Sequence, residues 1–376
     1  MVFLRVLGAT TLVVALLSSS AWAQLGGIDA EFAGAGARAL AMGGAFLGLG
    51  DDATAAEFNP AGLQILRRPE AAWQFTHTFD RRDDFLFASS IDRVNNPSRM
   101  GLRGRESDEW TTPSFASYVH PGQKITWAVS QLTTIDFDRS LDDVSGDREF
   151  HSTTRSTNNA FGLSFATDIK PRLHLGTTLR MNRFDFYHRD NLIGPDPVEL
   201  TDWSPSFNVG LLWRKSKDWS FGAVYKSSQK VEGLGGEVNT QLPETWGIGV
   251  AYHPNDKIRL LADIDYISWS DFDSISDDDF VRNDVTRFHL GGEYLLSVED
   301  DKACLVRAGY MLEESNALFY DGPQSNLLTS GFPEEDDLHH ITFGFGVARE
   351  KYQIDWAVDH VVDGATTLIL SMVHYF

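Results

Sequence analysis

Cysteine is almost missing from this chain. Cys304 stands alone among 376 residues, which excludes an intramolecular disulfide and any site built from several thiolates. Positive charge is scarce, with 32 Lys and Arg against 53 Asp and Glu and a net charge of −21. Nucleic acid is therefore a poor partner, because binding it needs a basic face to displace counterions. Beyond residue 17 no segment approaches the roughly 18 uncharged apolar residues of a spanning helix. Enzyme signatures are lacking too. No Gly-x-Ser-x-Gly elbow occurs, and the glycine-rich run 34–50 has no Lys-Ser/Thr of a phosphate loop. His339-His340 is the one adjacent histidine pair, and on a strand its rings point to opposite faces, unable to chelate one metal together. No catalytic residue, cofactor or metal site is predicted. The acidic clusters Asp277-Asp278-Asp279 and Glu334-Glu335-Asp336-Asp337 read as solvated surface.

What is present begins with an address. Arg5 supplies a positive start, Val6 to Leu17 an uncharged apolar core, and Ala21-Trp22-Ala23 a small-x-small site before Gln24. This is the pattern of a secretory signal peptide over residues 1–23. An exported chain without a spanning helix is either soluble outside the cytoplasm or a membrane β-barrel.

From about Glu70 onward the sequence alternates. Tyr352, Ile354, Trp356 and Val358 are apolar, with Gln353, Asp355, Ala357 and Asp359 between them. Ile341, Phe343, Phe345 and Val347 alternate with Thr342, Gly344 and Gly346, and Leu173, Leu175, Leu179 and Met181 oppose Arg172, His174, Arg180 and Asn182. Each segment thus has one greasy and one polar or small face. Connections alternate between short ones, such as 121–124, 215–218 and 349–351, and long ones at 81–111, 139–150, 190–202, 230–242, 269–283 and 314–337. Fourteen strands result: 70–80, 113–120, 125–138, 151–168, 172–189, 203–214, 218–229, 243–253, 257–268, 284–297, 303–313, 338–348, 352–361 and 365–376. An even count with alternating short and long connections is the pattern of an outer-membrane barrel in a Gram-negative-type bacterium. A soluble sandwich would bury the large residues and expose the polar ones; a barrel in lipid inverts that. Phe376 ends the chain with Met372, Leu370 and Leu368 on its own face. This resembles the terminal signal read by the barrel-insertion machinery, although residue 374 is His. The expected fold is an all-β, 14-stranded antiparallel transmembrane barrel over 70–376, with outer-membrane lipids around it. Its lumen would receive Arg172, Arg180, Asn182, Arg259, Asp263, Asp265, Glu293, Asp355 and Asp359, since a charge near the bilayer midplane costs ~2–4 kcal/mol for Arg or Lys.

Residues 24–69 do not alternate. They are rich in Gly and Ala and carry scattered apolar residues such as Leu40, Met42, Phe46 and Leu63. Asp51-Asp52 precedes a short helix over 53–58, with Asp as cap. Asn59-Pro60 opens a second, with Asn as N-cap and Pro in the first turn. Small residues let backbones pass closely, which suits a hatch packed inside the barrel.

The run Gly36-Ala37-Arg38-Ala39-Leu40-Ala41-Met42-Gly43-Gly44-Ala45-Phe46, then Asp51-Asp52-Ala53-Thr54-Ala55, then Asn59-Pro60-Ala61-Gly62-Leu63, resembles the N-terminal hatch of the FadL/TodX outer-membrane transport superfamily. Leu242 to Val250 and His339 to Gly344 are similar to that family as well. The resemblance implies a fourteen-stranded barrel closed by the hatch, not an enzyme. It would move hydrophobic compounds such as long-chain fatty acids by passive diffusion. Gly43, Gly44, Asn59, Pro60, Ala61 and Gly62 would then serve hatch and gating. The PorV-like branch of secretion-associated barrels shares the hatch signature and implies the alternative, a partner or shuttle in protein secretion. Phe58 stands where many relatives carry Tyr or Trp. Loops 190–202 and 230–242 are short, whereas helical loops in that region form the family's capture groove. Capture of a hydrophobic ligand is therefore expected from Phe85, Leu86, Phe87 and Ile91 in loop 81–111, where Arg81, Arg82 or Arg103 would meet a carboxylate. Loop 314–337 would add Leu318, Phe319, Leu327, Leu328 and Phe332.

Overall fold

The computed structural model describes residues 34–82, 106–145, 148–190, 197–232, 239–271, 280–299, 301–316, 319–322, 336–362 and 364–376. Period-two sequence becomes strand throughout: β1 (Glu70–Arg82), β2 (Glu106–His120), β3 (Ile125–Ser145), β4 (Arg148–Lys170), β5 (Leu173–Asp190), β6 (Val198–Trp213), β7 (Trp219–Lys226), β8 (Gln229–Glu232), β9 (Asn239–Leu242), β10 (Thr245–Asn255), β11 (Ile258–Ile267), β12 (Phe280–Val281), β13 (Val285–Glu299), β14 (Lys302–Glu313), β15 (Phe319–Tyr320), β16 (Leu338–Ala348), β17 (Tyr352–Val361) and β18 (Thr366–Tyr375). Fourteen of these form one closed antiparallel barrel in the order β1-β18-β17-β16-β14-β13-β11-β10-β7-β6-β5-β4-β3-β2. Closure leaves no free sheet edge, the condition for crossing lipid with strands. The seam between first and last strands runs from Glu70↔Tyr375 to Phe79↔Thr366.

The barrel settles which face of each strand meets lipid. Trp73, Phe75, Trp127, Phe161, Leu163, Trp246, Ile248, Phe343 and Trp356 are exposed on the outside. Gln74, Asn158, Thr342 and Asp355 on four of these strands, and Thr178 of β5 and Glu293 of β13, are buried inside. No described helix is long and apolar enough to cross a membrane.

Several expected loops are strand instead. β3 and β4 stay paired out to Ser145↔Arg148, so 139–150 is the tip of a long hairpin. The ladder of β1 with β2 continues to Arg82↔Glu106, which puts part of 81–111 in strand. Residues 230–242 hold the hairpin β8–β9, with its own pairs from Gln229↔Leu242 to Glu232↔Asn239. β12 and β15 pair as a further two-residue ladder between two outer connections. These segments are polar enough to be read as loops, yet backbone pairing does not require an apolar face.

Two ladders are short. β2 and β3 pair only from Phe115↔Leu132 to His120↔Trp127, after which each strand continues with its other neighbour. β6 and β7 pair from Asn208↔Lys226 to Trp213↔Phe221; there β8 follows, and its Glu232 N–H donates to Asp202 at 3.1 Å. Local irregularities adjust the faces. At β3 the register slips between Thr133 and Ile135. The slip turns Ile135 inward, 3% exposed, although strict alternation from Trp127 would send it to lipid.

Residues 34–66 lie inside the barrel, nearly all buried. They form two single-turn helices, α1 (Ala37–Leu40) and α2 (Ala55–Phe58), followed by a 3-10 helix over Pro60–Ile65. Helices this short are not stable by propensity; the wall holds them.

Candidate functional site

Asp52 Oδ1 accepts from the Thr54 N–H at 2.9 Å and from its hydroxyl at 2.5 Å, so the acid orders the turn before α2 rather than capping the helix directly. Asn59 sits at the N-cap of the 3-10 helix. Its Oδ1 accepts from the Ala61 N–H at 3.2 Å, and Pro60 occupies the first helical position. Its Nδ2 does more than a cap requires, donating to the Leu47 carbonyl at 2.9 Å and to the Leu211 carbonyl of β6 at 3.0 Å. The fully buried Asn59 thus ties two turns of the inner segment to the wall.

The wall answers the segment's unpaired backbone groups one by one. From β1, Gln74 accepts from the Gly36 N–H at 2.5 Å and donates to the Gly34 carbonyl at 3.1 Å. Ser117 of β2 donates to the Ala53 carbonyl, Thr178 of β5 to that of Ala56, and Ser220 of β7 to that of Gly48. Asp263 of β11 accepts from Phe46 and Leu47 N–H at 2.6 and 2.8 Å. His289 of β13 meets the Gly43 carbonyl at 2.6 Å. Thr342 of β16 accepts from the Gly43 N–H at 2.9 Å and donates to the Ala41 carbonyl at 3.1 Å. Ser371 of β18 accepts from the Ala37 N–H at 3.0 Å. A segment with so little regular structure must satisfy its polar groups this way, and eight strands share the task.

Backbones also touch directly. Gly43 has φ +67°, and Gly309 of β14 faces it so closely that a Cβ would overlap the Gly43 nitrogen. At Gly222 of β7 a Cβ would overlap the Leu47 carbonyl. Gly44 follows in the same turn with φ +78°, and Gly62 abuts Gly50 within the segment.

Charge completes the attachment. Arg38 of α1 reaches Asp51 at 2.6 Å, Asp52 at 3.1 Å and Glu293 of β13 at 3.0 Å. Glu293 also pairs with Arg307 at 2.7 Å and with Arg259, and Arg307 continues to Asp355 at 2.8 Å. Burial opposes the charge on Arg38, but Asp51, Glu293 and Asp52 outweigh it and hold its pKa above the usual arginine value. The guanidinium also lies 5.5 Å from the Phe46 ring centroid. On the opposite side Glu57 of α2 pairs with Arg180 of β5 and with Lys226 of β7, the latter at 3.3 Å.

Of the polar residues expected in the lumen, Arg180, Arg259, Asp263, Glu293 and Asp355 point inward with these partners, Asn182 donates to the Ser204 carbonyl at 3.1 Å and the Ser206 hydroxyl at 2.8 Å, and Asp359 meets His340 at 3.0 Å. Asp265 lies 3.2 Å from His289. Arg172 does not join them. It has φ +68° in the exposed turn before β5 and donates to the Lys215 carbonyl at 3.3 Å, because the strand starts one residue later than the alternation implied. His339 and His340 part as alternation requires: His339 meets the Tyr310 hydroxyl outside, and His340 meets Asp359 inside.

Above the inner segment the lumen changes character. Phe184 and Phe186 of β5 stand on the inner face as Arg180 and Asn182 do, but they form an apolar cluster with Ile135 and Val231. Leu200 of β6 and Leu242 of β9 pack on it. Leu242 also touches a second cluster of Ile267, Trp269 and Val285. The β8–β9 hairpin is tied into this layer by a reciprocal amide pair between Gln229 and Asn158 of β4, at 3.0 and 3.2 Å. Sequence reading missed this layer, although the switch on β5 after Asn182 was a visible signal. A cavity of about 30 Å³ lies between the inner segment and the wall, lined by Leu40, Leu47, Phe58, Lys226, Asp265 and His289 among others. That is room for one or two waters. The proposed capture residues Phe85, Leu86, Phe87, Ile91, Leu318, Leu327, Leu328 and Phe332 lie outside the described residues, as does Arg103; of Arg81 and Arg82 only the backbone is described. Phe319 pairs with Val281 in the β12–β15 ladder.

No curated protein sequence matches this chain. Among solved structures, the fold is similar to a Pseudomonas aeruginosa FadL homologue, with a TM-score of 0.67, 14% identity, and coverage of 89% of this chain and 96% of that one. The Ralstonia pickettii toluene transporter TbuX gives 0.65 at 13% identity, covering 91% and 98%. The Pseudomonas putida toluene transporter TodX gives 0.63 at 14%, covering 91% and 99%. At such identities the likeness is one of fold. Residues 14–240 match the family model described as outer membrane protein transport protein (OMPP1/FadL/TodX), more than half of the chain, and the chain therefore belongs to that family of outer-membrane channels.

Proposed function

We propose that this protein passes hydrophobic small molecules, long-chain fatty acids among them, across the outer membrane by passive diffusion, with residues 24–69 as its gate. On this reading residues 1–23 are removed on export, and the barrel of residues 70–376 is inserted through the signal ending at Phe376. The observation that carries the reading is the change of the inner wall with height. A porin lumen is polar along its length, whereas here the inner face turns apolar at Phe184, Phe186, Ile267 and Val285, directly above the inner segment. A desolvated solute gains from such a surface, and an ion does not.

The gate follows from the lower level. On this reading a solute passes when the segment shifts, because residues 34–66 are nearly all buried against the wall and the cavity of about 30 Å³ beside them is far below the roughly 300–1,000 Å³ of a small-molecule pocket. Gly43, Gly44 and Asn59 to Gly62 are its contact points with the wall and with itself, and are the proposed gating residues. No observation favours the secretion-partner alternative.

Uptake in cells lacking other hydrophobic-compound channels tests the proposal, with radiolabelled oleate, toluene and a hydrophilic sugar as solutes. Expression is expected to raise uptake of one or both hydrophobic solutes and not of the sugar. Raised sugar uptake, or no change for either hydrophobic solute at verified surface levels, would overturn it.

A further inference from the structure

Charge is divided unevenly between the two rims of the barrel. The short-turn rim consists of segments 67–69, 121–124, 168–172, 214–218, 253–257, 299–302 and 349–351. Together they hold twelve of the 32 Lys and Arg residues and seven Asp and Glu, a balance of +5 in a chain whose total is −21. The remainder of the chain therefore carries −26. Every one of the seven segments has at least one cation, so cations encircle the rim, with the net positive charge on five segments, 253–257 neutral and 299–302 at −2.

Lys124, Lys215, Lys257 and Lys351 are exposed and have no acidic partner among the described residues. The Lys and Arg ion pairs that this rim does show, Lys217–Asp218 at 3.9 Å and Arg349–Asp301 at 3.7 Å, are long and solvated. A rim with a net charge of +5 in an acidic chain suits an anionic counterpart.

The height of the ring identifies that counterpart. Outward aromatic rings sit just above it: Tyr118 with Trp127 (5.8 Å between centroids), Trp213 with Phe221 (5.7 Å) and Trp219 with Tyr252 (4.2 Å). Aromatic girdles mark the boundary of the hydrocarbon. Lys124 is three residues from Trp127, Arg214 adjoins Trp213, and Lys217 is two residues from Trp219. At about 3.3 Å per residue these cations lie roughly 3–10 Å beyond the belt, at headgroup depth, and the short turns hold them there. A soluble acidic protein would meet one side of the barrel; a lipid leaflet meets the whole circumference.

We propose that the short-turn rim binds anionic phospholipid headgroups of the leaflet that surrounds it. Phosphatidylglycerol and cardiolipin have the fitting chemistry, with a phosphate facing the cations of each turn. The charged heads of Lys and Arg reach headgroups while their methylene stems stay against the belt, and attraction to an anionic surface adds up over the charges near it. The ring would thereby fix the depth of the barrel and enrich anionic lipid around its exit side.

Native mass spectrometry of the full-length protein tests this, after equilibration in micelles with equal amounts of dioleoyl-phosphatidylglycerol and dioleoyl-phosphatidylcholine. The protein is expected to retain the anionic lipid about tenfold over the zwitterionic one. In Lys124→Gln/Lys215→Gln/Lys257→Gln/Lys351→Gln the preference is expected to fall to about twofold, and 1 M salt should reduce it likewise in the parent, since the Debye length is then about 3 Å. The salt arm stands even if the variant fails to fold. Glycerol phosphate in solution is not expected to compete, which separates the lipid from a free phosphate. No preference in the parent, a preference unchanged in the folded variant, or one insensitive to salt would overturn the proposal. So would retention of soluble polyglutamate in place of the anionic lipid.

Discussion

The lower and upper levels of this lumen are built from the same strands and the same inward-facing positions, yet they present opposite surfaces. On β5 the inner face runs Thr178, Arg180, Asn182 and then Phe184, Phe186. On β11 it runs Asp263, Asp265 and then Ile267; on β13, Glu293, Gly291, His289, Arg287 and then Val285. The lower level is polar or glycine because it must pair the backbone of residues 34–66 and let it approach. The upper level touches only side chains and the β8–β9 hairpin, and there apolar residues pack. Strand periodicity fixes which residues face the lumen. What fills the lumen at each height decides what those residues are.

Substitutions at the two levels should therefore fail in different ways. The largest effect is expected from Arg38→Ala. It leaves Asp51, Asp52 and Glu293 with too few cations, and breaking a buried ionic cluster costs ~3–5 kcal/mol. Urea unfolding of the inner segment, followed by protease cleavage within residues 34–66, should shift to lower urea while hydrophobic uptake persists. Phe184→Ala should cost ~3 kcal/mol through the cavity it opens. Its functional mark differs: uptake of the hydrophobic solute should fall without any rise in ion conductance. Equal behaviour of these two variants would erase the distinction between levels. Asn59→Ala, which removes a cap and two further hydrogen bonds, should cost ~2 kcal/mol. The protease assay should place it between Arg38→Ala and the parent; a loss no greater than an isolated cap would give makes its link to Leu211 of β6 irrelevant.

Much of this architecture was legible in the residues. Alternation located the barrel strands and their greasy faces, because lipid demands apolar side chains at every second position. The small-residue run before Glu70 pointed to close backbone contact. What escaped was set by partners rather than by local pattern. Ile135 faces inward because of a register slip that leaves no trace in hydrophobicity. The ends of β3 and β4 carry only Leu141, Val144 and Phe150 among polar residues, too little alternation to distinguish a hairpin from a loop. Asn59 reads as a cap from its neighbour Pro60, but its bond to Leu211 depends on the curvature of the closed barrel. Arg172 belongs to a turn whose φ no periodicity reveals.

The central claim is that residues 34–66 close a lumen that would otherwise be open through its polar level. Single-channel recording in planar bilayers tests it most directly, comparing the full chain with a variant lacking residues 24–66 whose barrel is verified by heat-dependent gel mobility. Discrete conductance steps well above the parent's are the expected result. A correctly folded variant that conducts no more than the parent would contradict the account.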